Sequence, residues 1–314
     1  QQDETMIVDI SLDYLNDGGN PVDKAILIGN IIEHCHYIKP RAGIVDAIWG
    51  IVEQHGTPHI KEIFQSYSEY LSLPEDMERH LTTIVLADFP LWQQRIILFK
   101  PSELLLENGP YEWNIYKNLI RAYTNHRKFG NVFRYLQHKV EDCLLVPENG
   151  GGFGAFKAVA EMKNKGEYYS KYRKKVCMVF DRDTRDATYF DDKKKHLFEY
   201  LVNKDHLHLG EDDINTFNYN GYVWHMLWKN AIENYFPPEK YEAKGVDMTE
   251  ARASADYDYY KFKDDEHGYK KTMMESISDG MTMAEFESQC RTFVFHNGSY
   301  SEFCLLLLKI AKIV

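Results

Sequence analysis

The chain has 314 residues, a formal net charge of -11 at pH 7, and 44% hydrophobic and 14% aromatic residues, a composition that builds packed cores and excludes a disordered chain. No apolar run reaches the roughly 20 residues of a membrane helix. An acidic chain gains nothing from nonspecific attraction to nucleic acid, so any phosphate binding has to come from a local feature or a partner subunit.

In chain order, Asp23 to Tyr37, Ala42 to Gln54, Pro58 to Leu71 and Glu75 to Leu86 read as amphipathic helices, several opened by Pro or an acidic residue and punctuated by Pro40, Gly56, Pro58, Pro74 and Pro90. Residues 1–97 are expected to form a small helical domain for docking or dimerisation, and homo-oligomerisation would run through it. His34, His36 and His55 have no metal spacing with cysteines or with one another, so no chemistry is assigned there. Cys35, Cys143, Cys177, Cys290 and Cys304 are scattered. Cys143 and Cys177 fall in expected core strands, which suits reduced thiols in a cytoplasmic protein. No signal-peptide pattern is read, and the start at Gln1 leaves a processed or truncated beginning open.

From residue 98 the rhythm changes. Glu103 to Gly109 (ELLLENG) is a short apolar strand running into Glu107 and a glycine; Glu112 to Thr124 then shows helical periodicity, with Trp113, Ile115, Tyr116, Leu119, Ile120 and Tyr123 on one face. Asp142 to Val146 (DCLLV) reads as a second strand, followed by Pro147, Glu148, Asn149, a glycine cluster at Gly150, Gly151, Gly152 and Gly154, and a helix from about Ala155 to Lys174. Val176 to Asp183 (VCMVFDRD) is the third: a buried strand ending in two aspartates around Arg182. Strand, helix, strand, helix, strand with short turns predicts an α/β fold with a parallel sheet flanked by helices. All three strand ends then lie on one rim, which gathers Glu107, the glycine turn, Asp181 and Asp183. Clustered carboxylates repel one another unless a cation neutralises them, and an all-oxygen set favours Mg²⁺ or Mn²⁺ over zinc.

This order of motifs resembles the Toprim domain shared by topoisomerases, DnaG-type primases and OLD-family nucleases: a glutamate and glycine after the first strand, a glycine turn after the second, DxD after the third. Here these are Glu107 with Gly109, Gly150 to Gly152, and Asp181 with Asp183; Asn108 sits between a glutamate and glycine that are adjacent in the family. Glu148 is the rival for the family glutamate, but choosing it leaves the ELLLENG strand and its helix unexplained. Downstream, Ala231 to Pro237 (AIENYFP) is similar to the IENY segment of OLD-like nucleases, which makes Glu233 a further metal-facing carboxylate; beside it stands the reading of Glu233 as a helix-surface residue among aromatics. The resemblance also implies a late lysine that stabilises the transition-state phosphate, and Lys270 or Lys271 fits that place.

The resemblance thus implies a Toprim-like catalytic domain at 98–314 with a helical C-terminal extension, acting as a Mg²⁺- or Mn²⁺-dependent endonuclease on DNA or RNA. Asp181, Asp183 and Glu233 would hold one or two ions, and Glu107 would ligate metal or position the attacking water. Glu112, at a helix start, is compatible with the helix dipole and with a further ligand role. Arg182 points away and takes no catalytic part. OLD-like nucleases commonly work with an ATPase, fused or separate, and this chain has no GxxxxGK[ST] loop of its own, so the resemblance implies a separate ATPase subunit as partner, in an antiviral defence complex. The alternative from another class is a catalytically silent Toprim-like regulatory or assembly subunit, which the inserted Asn108 and the acidic charge favour. Phe303 to Val314 carries Lys309 and Lys312 and reads as a buried or partner-docking terminal helix rather than a membrane span.

Overall fold

The computed structural model describes residues 6–34, 36–67, 75–163, 175–184, 196–197, 223–262, 276–295 and 298–314. Two parallel sheets organise it. The larger contains β4 (Ser102–Leu106), β5 (Leu145–Asn149), β6 (Val176–Phe180) and β7 (Val223–Met226) in the order β5-β4-β6-β7, with every neighbouring pair parallel. Glu103 aligns with Val146 on one side and Val176 on the other. Side chains alternate across a strand. One face sets Leu104, Leu106, Cys177 and Val179 into a core with α7 (Gly109–Tyr123), α8 (Gly130–Glu141) and the terminal helix Glu302–Ile310. On the opposite face Phe180 stacks on Trp224 and meets the edge of Phe156, which comes from α9 (Phe153–Lys163).

The expected strand at Asp142 to Val146 is displaced to Leu145–Asn149. Pro147 fits there because β5 is an edge strand, where a missing N–H is tolerated. Cys143 therefore lies outside the strand, exposed and with φ 58°, contrary to its reading as a core thiol; Cys177 is buried as expected. The YVWHMLW stretch supplies the fourth strand.

The helical reading of residues 1–97 is corrected. Its helices exist, as α2 (Pro21–Glu33), α3 (Ile44–His55), α4 (Pro58–Tyr67) and α5 (Glu75–His80), but they surround a parallel sheet of β1 (Ile7–Asp9), β2 (Tyr37–Ile38) and β3 (Thr83–Val85) in the order β2-β1-β3. These strands are too short for a period-two pattern to show. Val8, Ile10, Ile38 and Ile84 form one core with Ile28, Ile31, Ile48 and Val52. Ile7, Tyr37 and Leu81 turn the other way, into the same core as the larger sheet.

The chain's last residues join the two sheets. Thr82 Oγ1 donates to the Lys312 carbonyl and Ser102 Oγ to that of Ile313, both at 2.6 Å. The C-terminal region is not purely helical, because an antiparallel hairpin of β8 (Thr292–Phe295) and β9 (Gly298–Ser301) precedes the buried terminal helix.

Candidate functional site

In an open α/β sheet, ligands bind beyond the carboxyl ends of the strands where the strand order reverses. In the larger sheet that point lies between β4 and β6, because the chain leaves β4 for β5 on one side and β6 for β7 on the other. Glu107 follows β4 directly and Asp181 follows β6 directly. The Asp181 N–H donates to Glu107 Oε1 at 3.1 Å, so the two strand ends meet there.

The glycine turn after β5 closes against the same place: the N–H groups of Gly150 and Gly152 donate to the carbonyls of Leu106 (2.7 Å) and Glu107 (3.1 Å). Gly151 and Gly152 hold φ values of 65° and 80°, which glycine adopts without penalty. A Cβ at Gly109 would lie 2.9 Å from the Glu148 carbonyl oxygen, so glycine there lets the start of α7 sit close against β5 at the crevice. Glu148 itself lies within β5, paired with Leu105, and not at a strand end.

Asp183 sits on an exposed turn with φ 53°, and its N–H donates to the Asn230 carbonyl at 2.8 Å. Asp181 Oδ1 accepts the Ile232 N–H at 3.0 Å. Both aspartates are thereby tied to the segment after β7, where Ile232–Tyr235 forms a short 3-10 turn and Glu233 is buried. Asn234 locks this turn, accepting the Ala231 N–H and donating to the carbonyls of Tyr257 and Tyr260 at 2.7 and 2.9 Å. Arg182 is buried; its guanidinium lies over the Trp228 ring at 4.5 Å and donates to the Trp228 carbonyl, a packing role. Lys270 and Lys271 lie outside the described residues.

Glu112 was read from sequence chiefly as a helix-start residue, yet it is buried within this acidic group. Its Oε1 accepts the Asn108 N–H at 3.1 Å. The available signal was its spacing, since Ile115 and Tyr116, three and four residues on, belong to the buried face of α7. Burial, followed by the charges of Glu233 and Glu107, pushes the Glu112 carboxyl up to about 8. Burial also lifts Asp181 well above the carboxylate range, with Glu107, Glu233, Glu112 and Asp183 adding to the rise. Among the described residues, however, no three Asp, Glu, His or Cys side chains close round a common point as a ready metal cage. The carboxylates are near enough to perturb one another, and their mutual repulsion opposes closer approach.

The chain matches no family model, no curated protein and no solved structure.

Proposed function

We propose that the crevice between β4 and β6 is the active site of a Mg²⁺- or Mn²⁺-dependent nuclease that hydrolyses phosphodiester bonds of DNA or RNA, as the resemblance to OLD-like Toprim nucleases implies. The observation that carries this reading is the meeting of Glu107 and Asp181 at the reversal of strand order, with Glu112 and Glu233 crowding the same space. The donor set is all oxygen, which fits a hard cation.

Asp181, Asp183 and Glu233 would hold the cation, with Glu107 beside them. A bound Mg²⁺ or Mn²⁺ supplies positive charge for the scissile phosphate and the oxygens on which charge grows. The chain's own part is to fix the carboxylates: the Asp181 N–H orients Glu107, and the Ile232 N–H orients Asp181. Burial and its acidic neighbours push Glu112 up to about 8, and Glu112 would release its proton more readily beside a bound cation.

The net charge of -11 supports a division of labour in which a partner subunit holds the nucleic acid, and the resemblance to OLD-like nucleases makes that partner a separate ATPase within a cytoplasmic antiviral defence complex. Among the described residues no helix is long and apolar enough to cross a membrane. A second reading, a catalytically silent assembly subunit, is favoured by the absence of a ready cage among those residues and by the inserted Asn108.

The test is cleavage of plasmid DNA and tRNA with Mg²⁺ or Mn²⁺, comparing the chain with Asp181→Ala and Glu107→Ala, alone and with a co-purifying ATPase. Metal-dependent cleavage lost in both variants supports the nuclease. No cleavage and no metal binding under any condition selects the assembly subunit.

A further inference from the structure

The segment Trp228–Tyr235 reaches the crevice three times: the Asn230 carbonyl receives the Asp183 N–H, the Ile232 N–H binds Asp181, and Glu233 adds its carboxylate. Both ends of that segment are held by one side chain from a distant part of the chain. Glu302, at the start of the terminal helix, is fully buried. Its Oε1 accepts the Trp228 N–H at 2.8 Å, and its Oε2 accepts the Tyr235 hydroxyl at 2.7 Å. The Tyr235 oxygen in turn accepts the Lys229 N–H at 3.1 Å.

Behind Glu302 the network continues away from the crevice. His225 Nε2 contacts Glu302 Oε1 at 3.1 Å, while Lys309 Nζ approaches His225 Nδ1 at 2.9 Å and donates to the Trp224 carbonyl at 3.2 Å. Glu302 accepts and Lys309 donates, so these contacts assign the proton of a neutral His225 to Nε2. Burial, with Lys309 adding, lowers His225 to about 4, in keeping with that assignment. A buried carboxylate is costly unless its acceptors are filled, and here two of the three partners that fill them, beside His225, are the two ends of the crevice segment.

We infer that Glu302 is a positioning residue, fixing through Tyr235 and the Trp228 N–H the segment that presents Ile232 and Glu233 to Asp181. Its catalytic consequence rests on the reading of the crevice as a metal-dependent phosphodiesterase. The geometric claim does not, and the test separates the two.

Hydrogen–deuterium exchange of the peptide covering 228–236, without metal, is compared with that of strand β6 in the wild type, Tyr235→Phe, Glu302→Leu and Glu302→Gln. Tyr235→Phe and Glu302→Leu are expected to speed exchange in the segment at least about tenfold with β6 unchanged. Glu302→Gln should fall between the wild type and Glu302→Leu, because its amide oxygen can still accept from Trp228 while its NH₂ faces a Tyr235 oxygen that already accepts the Trp228 and Lys229 N–H groups. In plasmid cleavage with Mn²⁺, the first two variants should lower kcat about tenfold or more at little change in KM, with Glu302→Gln intermediate. Unchanged exchange in both Tyr235→Phe and Glu302→Leu overturns the inference; should Glu302→Leu fail to fold, Tyr235→Phe alone decides. Faster exchange in a protein whose wild type neither cleaves nor binds Mn²⁺ upholds the positioning role and defeats the nuclease reading.

Discussion

The two parallel sheets share a plan and differ in charge. In each, the first strand lies between the second and third, and an acidic residue stands at or just beyond its carboxyl end: Asp9 on β1 and Glu107 after β4. Asp9 is buried and ion-paired with Arg41 at 2.5 Å. Beside it opens a cleft of about 620 Å³, lined by Ser11 and Ala87 just past β1 and β3, in which Lys24 binds Asp17 and Tyr14 bonds to Gln94. At the second reversal, burial and neighbouring carboxylates act on Asp181 in the same direction. Strand order makes a crevice in both places: the first is lined by Asp13, Asp17 and Asp23 with Lys24 bound to Asp17, whereas in the second the carboxyls of Glu112 and Asp181 are raised by burial and by their acidic neighbours.

The widest separation of the two crevices should appear in activity. Asp181→Ala or Glu107→Gln is expected to lower metal-dependent cleavage by about 10²- to 10⁴-fold, the range associated with losing a group that handles charge or protons in the transition state. Asp9→Asn should leave cleavage within about threefold while costing about 1 kcal/mol in urea denaturation through the weakened Arg41 pair. Equal losses at Asp9 and Asp181 would erase the distinction.

Stability against pH should separate them next. The folded Glu112 carboxyl, at about 8, lies above its ordinary value of 4.5, and Asp181 is raised as well. Between those pH values the folded chain keeps protons that the unfolded chain has released, so this stabilising contribution is full below about pH 4.5 and is lost as pH rises towards about 8. The change is on the order of a few kcal/mol, followed by urea midpoints. Because Mn²⁺ favours the ionised carboxylates, it should raise the midpoint more at pH 8 than at pH 5; an equal rise at both would remove the link between cation and cluster.

A smaller contrast lies within the glycine cluster. A Cβ at Gly150 would come within 2.3 Å of the Phe156 ring and 2.9 Å of the Leu106 carbonyl oxygen, whereas nothing lies within 4 Å of one at Gly154. Gly150→Ala is expected to cost about 1–3 kcal/mol by overpacking, and Gly154→Ala, inside α9, to gain about 0.5–1 kcal/mol. An effect of similar size is expected at Asp183, where the left-handed backbone should make Asp183→Gly more stable than Asp183→Ala by about 1 kcal/mol.

Much of the larger sheet was legible because VCMVF, and the three leucines that follow Glu103, are apolar runs that end in acids. The second strand was misplaced because Pro147 reads as the end of a strand but is tolerated on an edge strand. The N-terminal sheet was missed because β1, β2 and β3 span three, two and three residues, while the helices around them carry a strong periodic signal. At the site, Glu107 and Asp181 could be placed from topology alone. Membership of Glu112 depends on the inward aim of one turn of α7, and the grip of Glu302 on Trp228 and Tyr235 joins residues 74 and 67 positions apart, beyond the reach of any local pattern.

The bonds from Thr82 to Lys312 and from Ser102 to Ile313 bear on the order of events during synthesis. A ribosome makes β1 and β3 long before residues 312 and 313, yet Ile7, Tyr37 and Leu81 bury against a core that includes Leu305 and Leu308. The core on that face of the early sheet is therefore complete only once the helix Glu302–Ile310 emerges, and apolar surface exposed in the interval is the kind through which folding intermediates aggregate.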